Sequence, residues 1–248
     1  MQISKSTYFV FVVVVAVMVL SVTVFKGGNG SARLQQSVRV TDRGSYQDRR
    51  DRYPVVEAEE TEPNDPVKKA KLKKQKQRYD KDAPFSTPGP NDEELAFLPE
   101  WQFNFPAFPI VKSDVIVIGE VLNAEAHRSN NKMSIFSNFE VRVEEVLKGN
   151  LNVGNVINVQ RIGGFVKYPG GRKVLFRLSG NGMPGVGARY ALFLNVLDED
   201  YAILTAYELA TGGVVPLDNS TQFEVYKGDN EVSFIASLRE AISQAVPQ

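Results

Sequence analysis

The chain has 248 residues, with 29 basic and 29 acidic side chains, one histidine and no cysteine. Balanced charge excludes a global pull toward nucleic acid or anionic membrane. The missing cysteine excludes a disulfide framework, a thiolate metal site, a cysteine nucleophile and a lipidated-cysteine anchor. With His127 as the only candidate base, a Ser-His-Asp arrangement has little to draw on.

The first predicted element is the apolar run "YFVFVVVVAVMVLSVTVF", Tyr8 to Phe25. A bilayer span needs roughly 17–25 such residues, so this run is long enough to cross. A secretory signal has a shorter apolar region of about 7–15 residues before a small-residue cleavage site. Gly30-Ser31-Ala32 is a candidate cleavage site but lies several residues past the apolar end. Residues 1–26 are therefore read as a single transmembrane signal anchor, with a cleaved signal peptide and a secreted product as the alternative. Lys26, Arg33, Arg39 and Arg43 follow the span and only Lys5 precedes it. That count favours a cytoplasmic C-terminal side. The very short N-terminal tail favours an exported, extracytoplasmic domain, and that is the reading adopted.

Residues 27–98 show no sustained apolar periodicity. "TDRGSYQDRRDRYP" is mixed in charge, "VEAEETEPNDP" acidic, "VKKAKLKKQKQRYDKD" strongly basic and "APFSTPGPNDEE" rich in proline. Such composition buries too little apolar surface to offset chain entropy and predicts a disordered, charge-segregated linker. Its lysine block, Lys68 to Arg78, is read as a solvated tether, transiently helical at most. The sharper alternative is an anionic lipid, cell-wall polymer or nucleic acid ligand.

Residues 99–248 read as the folded domain. In "FLPEWQFNFPAFP", Trp101, Phe103, Phe105 and Phe108 predict a segment wrapped onto the domain or an edge strand, because proline avoids central strands. "DVIVIGEV" (Asp114–Val121) predicts a buried strand, followed by a polar connection that carries His127. In "IFSNFEVRVEEVL", Phe139, Val141 and Val143 alternate inward, and the parity flip at Glu144-Glu145 predicts a β-bulge that bends the strand. Gly149 then supplies a turn conformation. "NVINVQRI" is a further strand, "GGFVKYPGG" a loop or hairpin tip and "RKVLFRLSG" the returning strand. "RYALFLNVL" and "YAILTAYEL" predict a hairpin across Asp198-Glu199-Asp200. "DNEVSFIASLREAISQAV" places Val232, Ile235, Ala236, Leu238, Ile242 and Ala245 at helical spacing, with Asp229 or Asn230 as cap. Several short strands and one closing helix predict a mainly β domain: a closed or partly open, OB-like barrel with a C-terminal helix.

"DVIVIGEV…FEVRVEEVLKGN…GNVINVQRIGG", with "GNGMPGVGARYALFL" and "YAILTAYEL", resembles a pattern in exported bacterial proteins. These are similar to cysteine-free relatives of the netrin-like, tissue-inhibitor-of-metalloproteinase OB-type barrel. The resemblance covers about Asp114 to Leu217 and is architectural. Animal inhibitors of that superfamily chelate a protease metal through an N-terminal cysteine. This chain has none, so that route of inhibition does not transfer, and a shared fold does not license a shared function.

No catalytic, metal or cofactor signature is present, and the chain is read as a non-enzyme. "GNGMPG" (Gly180–Gly185) matches G-x-G-x-x-G only formally, since a strand and not a helix follows. Met183 and Pro184 are read instead as a plug at the barrel end. Asp198, Glu199 and Asp200 read as a solvated hairpin tip, with no calcium-loop spacing. The candidate ligand-binding surface is Arg161, Phe165, Lys167, Tyr168, Arg172, Lys173, Arg177 and Arg189, because OB barrels pair basic grooves with stacking aromatics. Expected export and neutral overall charge count against nucleic acid as its ligand. The reading is a membrane-tethered binding module of the cell envelope, partnered by an envelope protein or anionic polymer. The alternatives are a regulator of an envelope protease and, if cytoplasmic, a nucleic-acid binder.

Overall fold

The computed structural model describes residues 47–80, 85, 87–97 and 105–245. In chain order the elements are a 3-10 helix (Gln47–Arg52), β1 (Val55–Glu57), α1 (Pro66–Arg78), β2 (Glu94–Phe97), β3 (Val115–Arg128), β4 (Ile135–Lys148), β5 (Val156–Lys167), β6 (Lys173–Leu178), β7 (Arg189–Leu197), β8 (Asp200–Ala210), β9 (Gly213–Pro216), a second 3-10 helix (Thr221–Tyr226) and α2 (Glu231–Ala245). The apolar run Tyr8–Phe25, with Trp101 and Phe103, lies outside the described residues. Among the described residues, no helix is long and apolar enough to cross a membrane.

Alternation decides which side chains fill the barrel. Val117 and Val121 of β3, Phe139, Val141 and Val143 of β4, Ile157 and Val159 of β5, and Leu192 and Leu194 of β7 share one core. Five strands close around it in the order β3-β4-β5-β8-β7 and back to β3. All neighbours are antiparallel except β5 and β8, which run parallel and pair only at Val159 with Tyr201 and Gln160 with Ala202. The expected bulge is present: Ile118 opposes Glu145 and Gly119 opposes Val143, so Glu144 is the extra residue. Gly149 ends β4 at φ 98°.

Two strands run further than expected. β3 continues through His127 to Arg128 because β4 pairs along its whole length, leaving only Ser129–Ser134 as a connection. β5 continues through Gly163 and Gly164 to Lys167, so the hairpin tip shrinks to the turn around Gly170 and Gly171. The two glycines form a corner. Before them β5 belongs to the barrel; after them it joins a second sheet ordered β1-β5-β6-β2. Their φ angles of 121° and 150° are open to glycine and rare for other residues.

α2 packs on the outside of β3, β7 and β8 and covers one face of the sheet. Phe234 and Leu238 are buried, joined by Ile235, Ala241, Ile242 and Ala245, against Ile116, Phe193 and Tyr207. Val232 and Ala236, expected on the apolar face, are exposed; Phe234 takes their place. Asn230 caps the helix by accepting from Val232 N at 2.9 Å. Phe105 and Phe108 wrap onto the same cluster.

The segment expected to be a disordered linker is folded over 47–80 and 87–97. Its apolar residues are few, yet Tyr53, Val56, Leu72, Tyr79 and Phe85 are all buried against the rest of the fold. Tyr53 enters the barrel core and donates to Asn181 O at 2.8 Å. Burial pushes its hydroxyl pKa up to about 12. Val56 and Phe85 join Val166, Val174 and Phe176 under the second sheet. Arg52 donates to both Glu208 oxygens, at 2.6 and 3.3 Å, and to Tyr190 Oη at 3.2 Å. The barrel supplies the burial that the segment's own composition lacks.

Candidate functional site

The predicted basic surface does not assemble. Arg161 shares the inward parity of Ile157 and Val159 and is buried, with side-chain exposure of 2%. Its Nη2 donates to both Asp218 oxygens at 2.7 and 2.8 Å, and Gly182 N donates to Asp218 Oδ1 at 3.0 Å. Lys167 pairs with Glu57 at 2.7 Å, Arg177 with Glu94 at 2.6 Å, and Arg189 with Glu144 at 2.9 Å and Glu231 at 3.1 Å. Arg172 stacks over Tyr168 and donates to Gly89 O and Pro90 O. Phe165 packs edge-on against Tyr53. Lys173 stands exposed at the start of β6. Arg161 lies inside, Arg189 faces the bulge and α2, and Lys167, Arg172 and Arg177 bind the N-terminal segment to the second sheet. These cations hold the fold together and do not converge on one groove.

Two further expectations change. His127 is a buried strand residue and not part of a polar connection: its Nδ1 lies 2.7 Å from Glu60 Oε1 and its ring lies against Phe136. Asp198 and Glu199 form the tight β7–β8 turn as expected, with Asp198 at φ 53°. Asp200 is not solvated. It is 2% exposed and accepts from Gln75 Nε2 at 2.8 Å, Asn158 Nδ2 at 3.0 Å and Gln160 Nε2 at 3.3 Å, with Lys71 Nζ at 3.0 Å. Met183 fills the barrel core as expected and Pro184 beside it is buried. Among the described residues, no three acidic or histidine side chains converge to hold a metal.

Asp200 leads to the most elaborate polar site on the barrel. On the outer face of β4 and β5, Phe136 and Ile162 form an apolar floor and Asn138, Asn158 and Gln160 a row of amides. The β7–β8 turn adds Asp198 and Asp200 at one end. α1 lies in this groove. The lysine block expected as a solvated tether is its helix, capped by Asp65, which accepts from Val67 N at 2.8 Å, with Pro66 at the first position. Leu72, Gln75 and Tyr79, spaced three and four apart, point down. Tyr79 stacks on Phe136 with ring centroids 4.3 Å apart and bonds Gln160 Oε1 at 3.1 Å. Asn138 Nδ2 donates to Gln75 Oε1 at 3.1 Å.

Lysines flank the buried stripe on both sides. Lys71 meets Asp200 while Lys74 and Arg78 meet Asp198; across the helix, Lys76 meets Glu60 at 2.6 Å and Lys69 meets Glu62. The basic block is thus largely neutralised by acids of its own chain. Beyond the helix, Asp80 accepts from Asn130 and Asn131 of the β3–β4 loop. Sequence reasoning missed this site, although Asp65-Pro66 is a helix-start signal and Leu72, Gln75 and Tyr79 recur at helical spacing.

Burial works to raise the carboxyl pKa values of Asp200 and Glu60. Hydrogen bonds from Gln75, Asn158 and Lys71 on Asp200, and from His127 and Lys76 on Glu60, outweigh it and hold both below their ordinary values of 3.8 and 4.5. A lowered native carboxylate stabilises fully above its unfolded pKa, and that stabilisation is lost as pH falls through the lowered value. The exchange protection factors of the Val67–Arg78 amides should therefore hold at about pH 5 and fall below about pH 4, ahead of those of the barrel strands. Simultaneous loss in both would contradict the assignment.

No protein-family model matches this chain, and no curated protein matches it.

Proposed function

We propose that this chain is a binding module of the cell envelope, built on an OB-like, netrin-type barrel and held beside the membrane by its apolar N-terminal run. The carrying observation is the strand order. Counting only barrel strands, the closure runs 1-2-3-5-4-1, with strands three and five parallel. That connectivity supports the OB reading. OB barrels bind ligands on the face of strands two and three, between the loops joining one to two and four to five. In this chain that face carries Phe136, Asn138, Asn158 and Gln160, and its flanking loops carry Asn130, Asn131 and Asp198. Its amides and carboxylates make specific hydrogen bonds to a docked helix, which supports binding as its use.

Tethering and export rest on the run Tyr8–Phe25. A reporter active only outside the cytoplasm, fused after Gln248, should be active, and the domain should be cleaved by protease added to spheroplasts. An inactive reporter with a protected domain would overturn the export reading.

A further inference from the structure

We infer that the groove on β4 and β5 is a receptor for a lysine-rich amphipathic helix, and that α1 fills it in cis as the resident competitor of a partner segment of the same chemistry. This rests on the binding-module reading and names the ligand class of its site.

The groove selects by chemistry. Phe136 and Ile162 take one leucine and one tyrosine ring, the amides of Asn138 and Gln160 take a glutamine and a phenol, and Asp198 and Asp200 take three cations. Asp200 is 2% exposed beneath α1; with α1 removed it keeps Asn158 and Gln160 as donors and lacks the cation Lys71 and the donor Gln75, which a basic helix can restore. A basic helix with an apolar residue, a glutamine three residues on and a tyrosine four beyond it meets every one of these groups.

α1 is held in a way that permits exchange. Only Leu72 and Gln75 of its thirteen residues are buried, and its remaining bonds are made by side-chain tips. Isolated helices shorter than about 12–15 residues are marginal in water, so α1 keeps its helix only while docked. Its Lys69–Glu62 and Lys74–Asp198 pairs are exposed and screened by salt. Tethering compensates by giving α1 an effective concentration on the order of millimolar at the groove. A partner helix therefore binds well only when it outcompetes that concentration or when α1 has been drawn away.

The test uses the full chain and a fluorescent peptide of residues 63–80, read by anisotropy. Leu72→Asp releases α1, and that chain should bind the peptide at least about tenfold more tightly than wild type. Adding Asp200→Asn to Leu72→Asp should remove at least about tenfold of that gain. Lys71→Ala with Arg78→Ala removes two cations that hold α1 in the groove while leaving its buried Leu72 in place, and serves if Leu72→Asp loses the barrel's thermal transition. Equal binding by wild type and both released chains, no binding by either, or indifference to Asp200→Asn would each overturn the inference. A wild-type dimer abolished by Leu72→Asp would also overturn it, since a second copy would then fill the groove. Because the reporter fusion tests compartment and anisotropy tests the groove, either reading can fail alone.

Discussion

Asp218→Ala should destabilise the domain by about 3–5 kcal/mol, because it leaves the Arg161 guanidinium buried without its counter-charge. For a domain of this size that is a fall in Tm of roughly 6–20 °C. The geometry is demanding: one nitrogen of Arg161 serves both carboxylate oxygens, while its Nε and Nη1 make no hydrogen bond among the described residues. Asp218 also fixes the loop carrying Met183 by accepting from Gly182 N. Arg161→Met with Asp218→Leu should recover most of the loss, since an apolar pair avoids the desolvation cost of the ionic one. Urea midpoints of the single and double variants measure both. A single variant within about 1 kcal/mol of wild type would show that the pair is not closed to water.

Gly163→Ala should cost about 2–4 kcal/mol, from a backbone conformation that L residues rarely adopt and from steric overlap. A Cβ at Gly163 would lie 2.7 Å from Met183 Cε and 2.9 Å from Phe176 O. The methionine tip can move, but the carbonyl belongs to the β5–β6 ladder and cannot move without opening it. Gly187→Ala is the control: it too has positive φ, at 80°, but meets nothing within 4 Å. It should cost only the conformational part, about 1–2 kcal/mol. Equal losses at the two positions would mean that the corner is not sterically tight.

The barrel was legible because its strands carry their instructions locally. Phe139, Val141 and Val143 alternate, and the parity flip at Glu144 marks the bulge before any partner strand is known. The hairpin across Asp198 is equally local. The second sheet and the groove were not legible for one shared reason: their determinants are far apart in sequence. Tyr53, Leu72, Tyr79 and Phe85 are too sparse to suggest a core, and they are buried only because the barrel offers them a surface. Charges misled in the same way. Arg161, Lys167, Arg177 and Arg189 cluster along the chain, yet each faces an acid from another segment. The parity of Ile157 and Val159 did point Arg161 inward, and that signal outweighs its charge.

The parallel contact between β5 and β8, which closes the barrel, has a consequence for how the protein survives in a crowded compartment. Two residue pairs make a short seam, and both strands diverge beyond it, so within the barrel's closure the seam is where backbone groups come nearest to being open to another chain. α1 straddles it: Arg78 joins Gln160 of β5 to Leu197 O and Asp198 of the turn, and Gln75 grips Asp200 at the start of β8. The helix is thus a gatekeeper as well as an occupant. A molecule whose α1 has been drawn off exposes a sticky strand edge for as long as the groove stays empty, so this fold favours a partner that replaces the helix over one that merely removes it.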